Sequence, residues 1–402
     1  MPKVFIAAAK RTAIASFNGA LSAVHPAVFA GEVIKDIVRQ TALPPDAVDE
    51  VLVGNILPAG LGQGPARQAA LAGGIPHSVP AYTVNHVCGS GMKAVMNAAA
   101  YIMAELGHVY IAGGMENMSL SPYILPGARQ GLRMGNKEIN DHMVSDGLTD
   151  AFQNYHMGIT AENIAEKYKI TRQDQDAFAI ASQKKAIAAV DAGLFREEIT
   201  PITIKQKKES ILFETDEYPN RSTSPEKLAA LRPAFKADGT VTAGNASGIN
   251  DGAAFLMVVS EEALKRYNLT PIAELIGLGQ GGVDPALMGL GPVPAVAAAL
   301  KQAGLALRNM DVLELNEAFA AQSLGVVRLL SEAHHMTEDE ILSRCNLNGG
   351  AIALGHPIGA SGARVTVTLL HIMQSREAAY GLASLCIGGG MGTAVIFKGM
   401  TA

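Results

Sequence analysis

The sequence is poor in charge: Asp, Glu, Lys and Arg make up 17% of 402 residues, against 49% hydrophobic. A disordered chain needs the opposite balance, low hydrophobicity and high charge. No long basic run occurs and the formal net charge is −5, so the electrostatic footprint of a nucleic-acid groove is missing. No apolar stretch approaches the ~18 residues of a membrane span. The apolar part of residues 1–11 is too short for a secretory signal and reads as a first strand. The last residues carry no obvious address, which leaves the cytoplasm as the expected compartment. Only three cysteines are present: Cys88, Cys345 and Cys386. An odd, sparse set is no disulfide framework; it points to a reducing compartment in which each thiol needs its own explanation. The 42 glycines show no Gly-X-Y period, which excludes collagen.

What is present is alternation. At roughly 150 residues per domain the length suggests two or three domains. Short β-rich runs bounded by Gly or Pro alternate with Ala-rich helical stretches: strand-like at 51–54, helical at 92–105, strand-like again at 109–114. The pattern is that of an α/β protein with buried sheets. The second half echoes the first. Ser90-Gly91-Met92-Lys93 and Ser361-Gly362-Ala363-Arg364 each open a helix, and the strand after each closes on Gly-Gly-Met (Gly113-Gly114-Met115, Gly389-Gly390-Met391). Upstream, 48–53 resembles 310–315. The stretch 119–248 has no counterpart and is more polar; its long helical patterns lie at 161–168 and 172–192, the second opened by a capping box at Thr171 and Asp174. The expected division is a half at 1–118 completed by about 249–270, an inserted loop domain at 119–248, and a second half at 271–402.

Three motifs carry chemistry. In Asn85-His86-Val87-Cys88-Gly89-Ser90-Gly91, Cys88 falls between a strand and a helix start. Helix N-termini favour thiolate through the macrodipole and unpaired N–H groups, so the thiol pKa is expected to fall below ~8.5. The local sequence fits a buried structural cysteine at a tight turn equally well. The second motif sets His356 among glycines in Gly355-His356-Pro357-Ile358-Gly359; a neutral imidazole there could take a proton from a nearby thiol. The third, Cys386-Ile387-Gly388-Gly389-Gly390, puts a second thiol beside glycine backbone, which suggests acid–base work near an oxyanion site. His334 and His335 read as residues of a solvated insert.

Together with Asn316-Glu317-Ala318-Phe319-Ala320 and 245–252, these motifs resemble the thiolase family from end to end, most closely its biosynthetic, acetyl-CoA acetyltransferase branch. The resemblance implies a duplicated α/β fold with two halves, mixed sheets packed in layers, and an inserted loop domain. It implies a reversible Claisen condensation of two acetyl-CoA to acetoacetyl-CoA and coenzyme A, by ping-pong kinetics through an acetylated Cys88. By the same resemblance His356 activates Cys88 and Cys386 is the second acid/base. Asn316 holds a water that forms one oxyanion hole with His356, and the N–H groups of Cys88 and Gly388 form the other. Ser247 and Arg221 would meet coenzyme A, with Leu148, His156, Met157, Phe235, Met288, Ala318 and Phe319 around the pantetheine and acyl group. Bulky Met157, Met288 and Phe319 at the acyl end imply a short acyl chain. No prosthetic group or metal is implied, and the expected assembly is a homotetramer built as a dimer of dimers.

The chain departs from the family pattern at 331–347, a longer segment than usual that holds Cys345, read as a bystander. Three other functions compete. A ketoacyl synthase would carry a second His or an Asn where Cys386 stands. A degradative 3-ketoacyl-CoA thiolase is nearer, though it tends to have a serine directly after the nucleophile, where this chain has Gly89. A catalytically silent acyl-CoA-binding protein would not need Cys88, Asn316, His356 and Cys386 together.

Overall fold

The run Val4–Arg11, buried on both faces, forms the strand expected at the N-terminus. The structure, a computed structural model, describes residues 2–205 and 209–400; Met1 and the last two residues of the chain lie outside the described residues. Val4–Arg11 pairs antiparallel with Asn250–Ser260 on one side. On its other side it meets Ala273–Gly282 through only Val4–Leu275, Phe5–Glu274 and Ile6–Ala273. That short join fuses the strands of both halves into one ten-stranded sheet, nine of them on a single path and Ala15–Ser16 paired off it.

The repetition heard in the sequence is structural. In the first half the strand order is Val4–Arg11, Asn250–Ser260, Val109–Asn117, Glu50–Gly54, Ala81–Val84. In the second it is Ala273–Gly282, Met391–Gly399, Tyr380–Ile387, Val312–Leu315. In each, the first two junctions are antiparallel and the next is parallel. The partner of Ala81–Val84 in the second half shrinks to a single parallel bridge, Leu313 to Cys345. Cys345 is therefore a buried edge residue of the sheet, consistent with a bystander.

Helices Ser90–Met103 and Ser361–Ser375 lie between the halves and pack on strands of both. Small residues let them cross closely: a Cβ on Gly362 would stand 2.6 Å from the Met92 nitrogen. One apolar core surrounds these two helices. A second lies under helices Pro26–Thr41 and Pro65–Ala72, and a third under Pro292–Ala303 and Ala320–His334. The result is a stack of outer helices, strands, central helices, strands and outer helices.

The intervening segment carries helices Gly158–Tyr168 and Arg172–Asp191. The second opens with the expected capping box: Asp174 N donates to Thr171 Oγ1 at 3.2 Å, and Thr171 N donates to Asp174 Oδ2 at 2.9 Å. The segment is pinned to the first strand by Arg11, which is fully buried. Its guanidinium donates to Glu198 Oε1 at 2.6 Å and to both Asp216 oxygens at 2.6 and 2.8 Å. Breaking such a buried pair leaves an uncompensated charge and costs about 3–5 kcal/mol.

Candidate active site

Cys88 lies in the turn between strand Ala81–Val84 and helix Ser90–Met103. Ser90 Oγ donates to Val87 O at 2.6 Å and accepts from His86 N at 2.8 Å, which locks the turn. Val87 is held at φ +44°, an unfavourable region for a β-branched residue. Strain of this kind persists where the surroundings over-determine it, often beside a reacting group. The sulfur receives the backbone N–H groups of Gly388 and of Cys88 itself.

The expected fall in the Cys88 pKa is not what the geometry produces. Burial pushes the thiol up to about 11; the two N–H bonds oppose that rise, and the Glu116 carboxyl adds to it. The helix starts at Ser90 with Gly89 as its cap, and its positive end does not outweigh that burial. Desolvation wins, and the resting group is a neutral thiol.

His356 stands between the short helix Ala351–Leu354 and helix Ser361–Ser375. Its backbone N–H donates to Asn250 Oδ1 at 2.9 Å. Ser361 Oγ gives its one proton to Pro357 O at 2.9 Å, so it accepts from His356 Nδ1 at 2.6 Å. That assigns the proton to Nδ1 and leaves the Nε2 lone pair free to act as a base. Burial, with the Arg364 charge in second place, pushes the imidazole pKa down to about 3. The ring is neutral at any physiological pH.

Cys386 is the penultimate residue of strand Tyr380–Ile387, which leads into the glycine turn in which Gly389 and Gly390 adopt φ of +86° and +85°. Burial and then neighbouring Cys88 push its thiol far up. Asn316 follows strand Val312–Leu315, and its N–H donates to Ser384 O at 3.0 Å. Both polar atoms of its side chain are buried and lack a partner among the described residues. A buried amide in that state is a place for an ordered water. The next residue, Glu317, braces the loop by accepting from Ser182 Oγ at 2.6 Å and Asn346 Nδ2 at 2.8 Å.

Cys88, His356 and Cys386 open onto one cavity of about 410 Å³, whose remaining wall is mainly apolar. Every residue expected around a pantetheine and acyl group lines it: Leu148, His156, Met157, Phe235, Met288, Ala318 and Phe319, together with Ser247. His156 stacks on Phe235 with ring centres 4.5 Å apart, and Phe235 meets Phe319 edge-on at 6.1 Å. Ser247 N donates to Ala318 O at 2.9 Å, which brings 245–252 and the Asn316 motif to the same wall.

Arg221 is the exception. It does not line this cavity; its exposed guanidinium is engaged by Asp191, at 3.0 and 2.5 Å. A cation beside the site is Lys227, which lines a second cavity sharing Tyr218 and Ala243 with the first. Sequence reading also missed Phe17, Met118 and Tyr218, which line the site but belong to none of the motifs. Ile358 and Ile249 lay inside motifs already singled out, so their adjacency to His356 and Ser247 was the available signal.

Two family models, Thiolase, N-terminal domain and Thiolase, C-terminal domain, match residues 4–262 and 269–399. The chain belongs to the thiolase family. Among curated thiolases, it is 54% identical to the acetyl-CoA acetyltransferase of Pseudomonas aeruginosa, over 98% of this chain and 99% of that protein. It is 52% identical to a probable acetyl-CoA acyltransferase of Staphylococcus aureus, over the same shares of each. Of solved thiolase structures, the acetyl-CoA acetyltransferase of Syntrophomonas wolfei superposes with a TM-score of 0.97 at 40% identity, covering 100% of both chains. That of Bacillus anthracis gives 0.95 at 43%, over 100% of this chain and 99% of the other. The fold is accordingly the thiolase fold.

Proposed function

We propose that this thiolase is an acetyl-CoA C-acetyltransferase, reversibly condensing two acetyl-CoA to acetoacetyl-CoA and coenzyme A. The observation that carries the reading is the convergence of two buried thiols and a neutral imidazole on one apolar cavity. In the first half-reaction the Cys88 sulfur attacks the thioester carbon while His356 Nε2 takes the thiol proton. The new S–C bond forms, the bond to the coenzyme A sulfur breaks, and that sulfur leaves with the proton of Cys386, which is left as a thiolate. In the second, the Cys386 thiolate takes a proton from the methyl group of another acetyl-CoA. The carbanion attacks the acetyl carbon on Cys88, the carbon–carbon bond forms, and the Cys88 sulfur leaves, taking back the proton held by His356. Two steps through one covalent intermediate give ping-pong kinetics.

Charge develops on the thioester oxygen in both steps. The N–H groups of Cys88 and Gly388 converge on the nucleophile, which suits them to an oxyanion of the acyl-enzyme. The unpartnered Asn316 amide suits a water that, with His356, stabilises the enolate oxygen. Each donor of this kind is worth about 3–4 kcal/mol in the transition state. Coenzyme A enters past His156, Phe235 and Ser247, with Lys227 in the adjoining cavity as the cation for its phosphates. In our reading the boundaries 1–118 with 249–270, 119–248 and 271–402 separate halves and insert. The apolar side chains left exposed between 123 and 139, among them Tyr123, Met134 and Ile139, support assembly into a homotetramer. The scarcity of cysteine supports a cytoplasmic location.

The experiment is thiolysis of acetoacetyl-CoA beside 3-ketohexanoyl-CoA. The proposal requires a catalytic efficiency at least about tenfold higher on the short substrate, the factor that ~1.4 kcal/mol of overpacking gives. Comparable efficiency on the long one would move the protein to the degradative class.

A further inference from the structure

Glu116 is a carboxylate that the reaction above does not use, yet it is buried at the centre of the site's scaffold. It lies on strand Val109–Asn117 with no solvent exposure. Oε1 accepts from Asn55 Nδ2 at 2.6 Å and from Leu57 N at 3.2 Å. Oε2 accepts from Ile56 N at 2.9 Å and from Gly359 N at 3.0 Å. The first three donors follow strand Glu50–Gly54 in the first half, which also carries Cys88. The fourth, Gly359, belongs to the second half and stands three residues after His356.

Gly359 is also a point of close approach between the two halves. A Cβ on Gly114 would lie 2.0 Å from Gly359 O, and one on Gly91, in the first turn of the Cys88 helix, would lie 3.0 Å from it. A Cβ on Gly359 itself would lie 2.4 Å from Glu116 Oε2. The Gly359 peptide is thus gripped on its carbonyl side by glycine backbone of the nucleophile half and on its N–H side by Glu116. On the same knot, Leu57 and Ile358 both border the position of a Cβ on Gly147, in the turn Met143–Leu148 that presents Leu148 to the cavity.

We propose that Glu116 is a positioning residue: by tying Asn55, Ile56 and Leu57 to Gly359 it sets the register between the loop that carries Cys88 and the loop that carries His356. Burial lifts its own pKa to about 8, and any charge it carries works against thiolate at Cys88, so electrostatic activation of the nucleophile does not account for it, whereas four convergent donors do. Catalysis depends on such registration, since a displacement of about 1 Å can lower the rate about 100-fold. The inference rests on Cys88 and His356 acting as nucleophile and base.

The test uses the full-length enzyme with Glu116→Gln and Glu116→Asp. Gln keeps the volume but turns an NH2 toward two N–H donors. Asp keeps the charge but draws the oxygens back by about 1.5 Å, one C–C bond. In both, kcat for acetoacetyl-CoA thiolysis should fall about 10–100-fold while KM stays within about threefold, because binding groups are untouched. Wild-type kcat in either variant would overturn the proposal. So would a kcat loss matched by an equal rise in KM. If neither variant folds, the carboxylate carries the fold instead of the register, and the proposal also falls. A wild-type enzyme that forms no acetyl-Cys88 would instead defeat the reading of the reaction.

Discussion

Cys88 in the free enzyme should react with iodoacetamide more slowly than an ordinary cysteine near pH 7.5. Burial lifts its pKa from an ordinary 9.0 to about 11. At pH 7.5 those values correspond to thiolate fractions of about 3% and about 0.03%, a ratio of about 100. The rarer thiolate is the better nucleophile: with a Brønsted slope of ~0.4–0.5, two pKa units return a factor of about six to ten. The net expectation is alkylation about tenfold slower than for an exposed cysteine, climbing nearly tenfold per pH unit until about pH 10. Peptide-resolved mass spectrometry across pH 6.5 to 11 reads this directly. A rate that levels off near pH 7 would mean that the helix terminus outweighs desolvation, and the neutral-thiol resting state would be wrong. If the slow, rising profile is found, the proton must leave Cys88 during attack, and His356 becomes indispensable.

Four further outcomes follow from the same geometry. Because His356 is held near 3, lowering pH from 8 to 5 does not protonate it, so kcat/KM should show no histidine inflection in that window; an inflection near 6.5 would contradict the buried, Arg364-flanked ring. His356→Asn should lower kcat/KM about 10²–10⁴-fold, the usual worth of a general base. Met288→Ala empties part of the acyl end of the cavity and should raise the relative rate on 3-ketohexanoyl-CoA; an unchanged preference would remove Met288 from the specificity wall. Arg221→Ala should leave KM for coenzyme A nearly unchanged, since its guanidinium already faces Asp191, whereas Lys227→Ala should raise it about three- to tenfold; the reverse pattern would restore Arg221 to the coenzyme site.

Local signals survived translation into three dimensions where the physics is local. The capping box at Thr171, the strand and helix flanking Cys88, and the glycine turn after Cys386 all depend on neighbours within a few residues. The duplication was legible because each half repeats its strand order and directions. Properties summed over the whole environment were not legible. The Cys88 pKa reads as lowered from its helix alone, but the dry cavity is assembled from segments as distant as Met118, Tyr218 and Met288. Arg221 looked like the coenzyme cation because no other stood near it in sequence; its capture by Asp191, thirty residues upstream, needed the fold. Glu116 sits in an ordinary buried strand run, and nothing around it in sequence announces the four donors that meet it.

The central claim is that the reaction passes through a covalent acetyl group on Cys88. Brief incubation with acetyl-CoA, acid quenching and proteolysis at low pH, followed by mass spectrometry, tests it most directly. The account predicts a gain of one acetyl group on the peptide containing Cys88, absent in Cys88→Ser. An acetyl group on the Cys386 or Cys345 peptide instead, or none on any cysteine while acetoacetyl-CoA is formed, would contradict it.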